Sequence, residues 1–329
     1  MAFATIVIPH WLSPKWLQIC LASLKATKNE RDYEIWIADN SAPHSSIKAI
    51  DNRLGEGVRL IDVPDIMKTP ALVLDWAIDK VNTSYLFSVE TDIRFMKDGW
   101  LDWYASFVRD EYVAMVGWYW EIESHDDTRH YIAPAATLYN IEVLKILKAE
   151  CVANKQLVQS YGLNYEKRIP ITATGTVEEM ILTGQWGPFT ERRGFLNSSP
   201  FDRPEVFWHD TGSWLFYRAE CQWECARIPG QWVKQQGYSM PDVKLAYYGD
   251  SEADAYIIHY WAGGVSHSFK IGIMQGWSGQ CVEWWLRREH RLWLEVVPED
   301  IREDSISKGI IPDLEEELKF ALSMVREGG

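Results

Sequence analysis

The chain has 329 residues, 47% of them apolar and 24% charged, enough to bury the core of one large or two modest domains and too apolar for a disordered or fibrous chain. Its 33 Lys and Arg face 47 Asp and Glu, a formal charge of -14. General nucleic-acid binding, which needs a broad basic field, is therefore not expected. Five cysteines (Cys20, Cys151, Cys221, Cys225, Cys281) form neither a CxxC pair nor an even framework, which fits a reducing compartment. Cys221 and Cys225 share helical spacing but lack further Cys or His at zinc spacing. No basic and apolar leader opens the chain, and no apolar run is long enough for a transmembrane segment, so a soluble cytoplasmic protein is expected. The outlier is aromatic: 18 Trp, 15 Tyr and 11 Phe, either core volume or flat faces for sugar rings.

Thr5-Ile-Val-Ile-Pro9 reads as a strand, and Ser13-Pro14 as the cap and first position of a helix carrying Leu17, Cys20, Leu21 and Leu24. Tyr33-Glu-Ile-Trp-Ile-Ala38 is a second strand running into Asp39-Asn40-Ser41, and Val58 to Val63 a third, with a short helix expected around Pro43 between them. Thr69-Pro70 repeats the cap signal before a helix through Leu72, Leu74, Trp76, Ala77 and Val81. Ser84 to Val89 is a fourth strand that ends in Glu90-Thr91-Asp92. Strands alternating with helices at this spacing predict βαβ units and a mostly parallel sheet. In such sheets ligands bind beyond the carboxyl ends of the strands, where Asp39 and Asp92 both fall.

A helix near Gly99 to Arg109 and a strand at Val113 to Trp118 follow. Residues 119–135 are polar and read as a loop holding His125, Asp126, Asp127, Arg129 and His130, and residues 162–207 read as long functional loops. A helix is expected from Asp210 towards Gln236, then a strand near Val243 to Tyr248. Ile257-Ile-His-Tyr-Trp261 leads into Gly263-Gly264, and an amphipathic helix with Leu314, Leu318, Leu322 and Val325 follows Pro312.

Glu90 and Asp92 put two hard oxygen ligands at one strand end, which suits Mg2+ or Mn2+ bridging diphosphate oxygens; the alternative is a solvated turn. Ile6-Val-Ile-Pro9, the helix through Cys20-Leu-Ala-Ser-Leu24, Ile35-Trp-Ile-Ala-Asp-Asn-Ser41, the helix Ala71 to Val81 and Tyr85-Leu-Phe-Ser-Val-Glu-Thr-Asp92 together resemble the nucleotide-sugar half of GT-A fold glycosyltransferases, family 2 above all. The resemblance covers residues 3–118 and the remainder in patches. It implies a Rossmann-like α/β fold, a mostly parallel sheet flanked by helices, with acceptor-side insertions and a C-terminal helical segment. The implied division is a nucleotide-sugar half (1–118), an acceptor-binding and catalytic half of the same domain (119–297) and an amphipathic tail (298–329).

Carried onto this chain, the resemblance implies that Pro9, His10, Trp11 and Asp39 hold the nucleotide base and ribose, and that Asp92 ligates a divalent cation, Mn2+ or Mg2+. Glu90 stands where the family usually has Asp, long enough to reach a ribose hydroxyl. Asp75-Trp76 replaces a polar pair usual in the helix before that strand. Phe207-Trp-His-Asp-Thr-Gly-Ser213 matches the place of a catalytic carboxylate, so Asp210 is read as the base of an inverting transfer, as the N-cap of its helix, or as both. His259 resembles a third metal ligand, with a buried structural His as the alternative and His267 as a rival.

Arg287-Arg288-Glu289-His290-Arg291 reads as a solvated helix face or a contact for an anionic acceptor, and Trp118, Trp120, Trp186, Trp208 and Trp214 as core or sugar-stacking residues. The expected function is a metal-dependent glycosyltransferase taking a nucleotide-diphosphate sugar to a carbohydrate or other hydroxyl-bearing acceptor. A nucleotidyltransferase would favour a Gly-rich phosphate loop after the first strand, where His10-Trp11-Leu12-Ser13 has no glycine. A non-catalytic sugar- or nucleotide-binding protein of the same fold is the remaining alternative.

Overall fold

The computed structural model of the chain describes residues 2–10, 13–39, 57–62, 70–124, 127–132, 134–147, 215–216, 219, 223–234, 244–260 and 279–327. In chain order the strands are β1 (Ala4–His10), β2 (Tyr33–Asp39), β3 (Val58–Asp62), β4 (Tyr85–Val89), β5 (Ile93–Phe95), β6 (Val113–Gly117), β7 (Tyr119–Ser124), β8 (Asp127–Ile132), β9 (Ala136–Asn140), β10 (Glu224–Arg227), β11 (Gly230–Lys234), β12 (Lys244–Tyr248) and β13 (Ile257–His259). The helices are α1 (Pro14–Ala26), α2 (Pro70–Lys80), α3 (Trp100–Ser106), α4 (Ile141–Leu147), α5 (Gly279–Val296), α6 (Glu299–Ser307) and α7 (Leu314–Glu327).

Seven strands form one sheet in the order β10-β6-β9-β4-β1-β2-β3. Within it β9 alone runs against its neighbours β4 and β6, so the sheet is mostly parallel. Alternation along each strand divides the core between two faces. Ile6, Ile8, Ile35, Ile37, Phe87 and Val89 pack with Trp16, Leu17 and Leu24 of α1 and with Trp100 of α3. Val7, Trp36, Leu86 and Tyr139 pack on the other face with Val73, Ala77 and Ile78 of α2 and with Val143 and Leu144 of α4. Pro14 opens α1 as expected, but the Ser13 hydroxyl makes no cap bond. It meets the Thr91 hydroxyl at 3.2 Å instead, tying the end of β1 to the acidic turn after β4.

Trp100 is fully buried, with ring centroids 4.5 Å from Phe95, 5.0 Å from Phe87 and 5.8 Å from Tyr33. Removing the indole leaves a cavity that three rigid rings cannot collapse into, so Trp100→Ala should cost about 3–5 kcal/mol, measured by denaturant unfolding. A loss under about 1 kcal/mol would contradict this packing.

A second, antiparallel sheet in the order β11-β12-β13-β5 stands beside the first. Here the structure departs from a helix running from Asp210 towards Gln236, because that span contains β10 and β11. Pro229 lacks the N–H a continuing helix needs. Gly230 begins the next strand, where a Cβ would come within 2.6 Å of the Trp118 ring. Residues 119–135, read as a loop, contain the paired ribbon β7–β8, with Tyr119 opposite Ile132 and Ser124 opposite Asp127. A two-stranded ribbon is held by backbone groups and tolerates polar composition, which hides it from an apolar-run search.

The basic run in α5 is likewise not a solvated face as a whole. Glu289 is 1% exposed, and Arg288 lies among three aromatic rings. The reason is that α5 packs on both α1 and α7. Lys15 of α1, itself buried, pairs with Glu317 of α7. Gln18 of α1 donates to Ser305 Oγ in α6 at 2.7 Å and accepts from Trp293 Nε1 of α5 at 2.7 Å. Burial raises the Glu289 carboxyl well above the ordinary range, against the Lys15 charge, which lowers it. No helix among the described residues is long and apolar enough to cross a membrane.

Candidate metal and donor site

Parallel pairing puts the carboxyl ends of β1, β2 and β4 at one edge of the large sheet, with His10 opposite Asp39. The Asp39 carboxylate is buried and lies 3.2 Å from His10 Nδ1. The Ser13 amide donates to His10 Nε2 at 3.2 Å, so the ring proton sits on Nδ1 and points to Asp39. Pro9, within β1, pairs with Ala38. The structure thus brings three of the residues assigned to the base and ribose, Pro9, His10 and Asp39, to one strand edge. Trp11 lies outside the described residues.

After β4 the chain turns through Glu90-Thr91-Asp92 into β5. The Glu90 amide donates to the Ala135 carbonyl at 2.9 Å. Strand β13 then pairs antiparallel with β5, placing His259 opposite Ile93, and the Tyr260 amide donates to the Asp92 carbonyl at 2.9 Å. This register carries His259 to the acids. Its Nε2 lies 3.2 Å from Glu90 Oε2 and 3.4 Å from Asp92 Oδ1. One ligand atom from each of the three residues falls within 4.8 Å of the others, the only such group of His, Cys, Asp and Glu among the described residues.

The set fits a hard divalent cation. Around an ion with ligands at about 2.1 Å in octahedral geometry, neighbouring donor atoms stand about 3 Å apart, close to the two separations from His259. Two carboxylates and an imidazole are also the donors that Mn2+ accepts. Asp92 and His259 are buried while Glu90 is partly exposed, leaving one side of the group towards solvent. The Tyr248 hydroxyl stands 3.5 Å from His259 Nδ1 and orients the ring from behind. Burial lowers the pKa of His259, but Asp92 and Glu90 outweigh it and lift it to about 10. In the metal-free chain the imidazolium thus links the two acids. The sign is that of a raised basic group: this stabilisation is complete below about 6.5 and disappears as pH rises through about 10. Cys20, beneath the site, is held as an unreactive thiol, raised first by burial and then by the Asp92 charge.

Several expected site residues lie outside the described residues: Asp210, His267, Trp186, Trp208, Trp214, and the acids Glu178, Glu179 and Glu205. Trp118 is core, its ring 4.8 Å from Trp232 and 5.5 Å from Tyr248. Two cations lie near the acids: Arg94, which the sequence reading did not single out, and Arg288, read there as part of a solvated face or a contact for an anionic acceptor. Arg94 pairs with Glu295 of α5 at 2.9 Å, and Arg288 covers the Tyr260 ring at 5.1 Å. The available signal was the aromatic setting of Arg288, after Trp284 and Trp285 in a helix.

Residues 5–158 match the model of the family Glycosyl transferase family 2. No curated protein matches the chain. Among solved structures, residues 1–349 of TarS from S. aureus align with a TM-score of 0.36 and 13% identity, over 45% of this chain and 49% of that one. The mannosyltransferase PcManGT from Pyrobaculum calidifontis, solved with GDP-Man and Mn2+, aligns with a TM-score of 0.37 and 12% identity, over 44% and 46%. A 4-diphosphocytidyl-2C-methyl-D-erythritol synthase from Anaerococcus prevotii aligns at 0.34 and 10%, over 55% and 81%. The chain thus spans about half the length, or less, of the TarS and PcManGT structures. The matched stretch contains β1, α1, β2, β4 and the acidic turn with the ordering that the sequence suggested, so residues 5–158, a little under half of the chain, are similar to glycosyltransferase family 2.

Proposed function

We propose that the protein is a metal-dependent, inverting glycosyltransferase that moves a sugar from a nucleotide-diphosphate sugar to an acceptor hydroxyl. The observation that carries this reading is the convergence of Glu90, Asp92 and His259 at the carboxyl edge of a family 2-like sheet. The three residues would hold Mn2+ or Mg2+, which when bound neutralises charge on the departing diphosphate. Asp39, fixed by His10, holds the base or ribose beside Pro9 and Trp11. Asp210 takes the proton of the acceptor hydroxyl as that oxygen attacks the anomeric carbon from the face opposite the leaving group. In this reading residues 1–118 serve the donor and residues 119–297 the acceptor.

Incubation with a panel of nucleotide sugars and Mn2+ tests the reading without knowledge of the acceptor, because slow hydrolysis releases the nucleoside diphosphate. Release above the background of an Asp92→Asn control is expected for one donor. Tight metal-dependent binding without release, even when candidate acceptors are added, would favour the non-catalytic binding protein. Within the same assay Asp39→Ala should weaken donor binding with and without metal; a loss confined to the metal-dependent part would contradict its assignment to the base or ribose.

A further inference from the structure

Among the arginines described in full, Arg288 is set apart by what surrounds it. Its guanidinium carbon lies 5.1 Å from the Tyr260 ring, 5.3 Å from Trp284 and 5.0 Å from Trp285. Both terminal nitrogens are buried, and neither has a hydrogen-bond partner among the described residues. Elsewhere Arg31 bonds Asp102, Arg94 pairs with Glu295, and Arg302 donates to the Val297 carbonyl. A guanidinium carries five N–H donors in a planar fork and no acceptor, and withdrawing it from water without an oxygen partner is the costly arrangement. The aromatic faces recover part of that cost but satisfy none of the in-plane donors. The state described here therefore holds an unmet demand for anionic oxygen at one place.

That place adjoins the acids. Tyr260, whose ring Arg288 covers, is the residue after His259, and its amide holds the Asp92 carbonyl at 2.9 Å. Burial lowers the pKa of Arg288 to about 10, against Tyr260, Tyr247 and the charge of Asp92, so it stays protonated at neutral pH. A fixed positive charge this near Asp92 opposes a bare cation at the triad. It favours a cation that arrives with, or acquires, a polyanion.

We propose that Arg288 is a donor-binding residue whose terminal nitrogens receive phosphate oxygens of a nucleoside diphosphate bridged to Glu90, Asp92 and His259 through the divalent cation. The proposal rests on the glycosyltransferase reading for the identity of the diphosphate, and on the geometry above for the residue. Bidentate N–H contacts to a phosphate are a use for which the Arg fork is suited and the Lys ammonium is not.

The test exploits opposite signs. Arg288→Gln removes a like charge from the neighbourhood of the metal, so Mn2+ alone should bind at least as tightly, read by electron paramagnetic resonance. Binding of inorganic pyrophosphate in saturating Mn2+, read by calorimetry, should weaken roughly 10- to 100-fold, the range of a net loss of one charge-assisted hydrogen bond. Arg288→Lys keeps the charge without the fork and should fall between wild type and Arg288→Gln, which also decides the matter if the Gln variant fails to fold. A residue that merely packs would lower Mn2+ and pyrophosphate binding together, along with the Tm. That result, or wild-type pyrophosphate affinity in both variants, would overturn the assignment. The two readings fail separately: Arg288-dependent pyrophosphate binding in a protein that turns over no nucleotide sugar removes the transferase and leaves Arg288 in place. Failure of the wild-type chain to bind Mn2+ with pyrophosphate would remove both.

Discussion

Asp92→Asn is expected to abolish metal-dependent binding of nucleoside diphosphates, a loss of at least roughly 100-fold. The substitution keeps the shape and removes the charge. Asp92 is 5% exposed and provides the oxygen 3.4 Å from His259 Nε2. Its backbone carbonyl, which receives the Tyr260 amide, is untouched by the change, so the turn and the pairing of β5 with β13 persist. Without the carboxylate the site retains one acid, Glu90, on a longer and partly exposed side chain. A single mobile acid with an imidazole is a poor cage for a hard cation. The Tm should move by no more than a few degrees near pH 7, because the loss concerns one ion pair with His259. Unaltered calorimetric affinity for the nucleoside diphosphate in Mn2+ would remove Asp92 from the ligand set.

Asp210→Asn should lower kcat by roughly 10²- to 10⁴-fold with little change in donor affinity. A base acts on the acceptor proton only as the new bond forms, so its removal is felt in turnover and not in the ground-state complex. Asn caps helices as well as Asp does, and a purely capping Asp210 would therefore tolerate the change. The substitution separates the two roles that Phe207-Trp-His-Asp-Thr-Gly-Ser213 leaves open. Near-normal transfer would exclude the base and turn attention to Glu205, Glu178 and Glu179, the acids that precede it in the chain.

The carboxyl edge of the large sheet was legible because its cues are local. An apolar β-branched strand, a Ser-Pro start and a strand-end acid can each be read within about ten residues, and the parallel sheet follows from their alternation. The partnership of His259 with Asp92 is of another kind. It depends on the register of β13 against β5, which nothing near Ile257-Ile-His259 announces, so only the family resemblance pointed to it. The solvated reading of Arg288 and Glu289 failed for a related reason. Charged residues in a run look solvated, and what buries these two is the packing of α5 between α1 and α7, a relation among three distant segments. The span expected as a helix after Asp210 gives way to β10 at Glu224, and Pro229-Gly230, a breaker legible in the sequence, separates β10 from β11.

The strap of α5, α6 and α7 over α1 bears on how the molecule is made. Lys15 and its partner Glu317 are 302 positions apart, and Gln18 waits for Ser305 and Trp293, 287 and 275 positions further on. During synthesis α1 leaves the ribosome long before α5, α6 and α7, with a buried Lys and Gln whose partners do not yet exist. At about 5–20 residues per second the interval is some tens of seconds. Through that time the β1–α1–β2 unit can pair its strands but cannot desolvate the outer side of its helix without leaving those groups unmet. Contacts of such separation also close late in refolding from denaturant. Chaperone dependence and the sensitivity of α1 to proteolysis in nascent chains should accordingly end only once residue 317 has emerged, long after β1, β2 and β4 are complete.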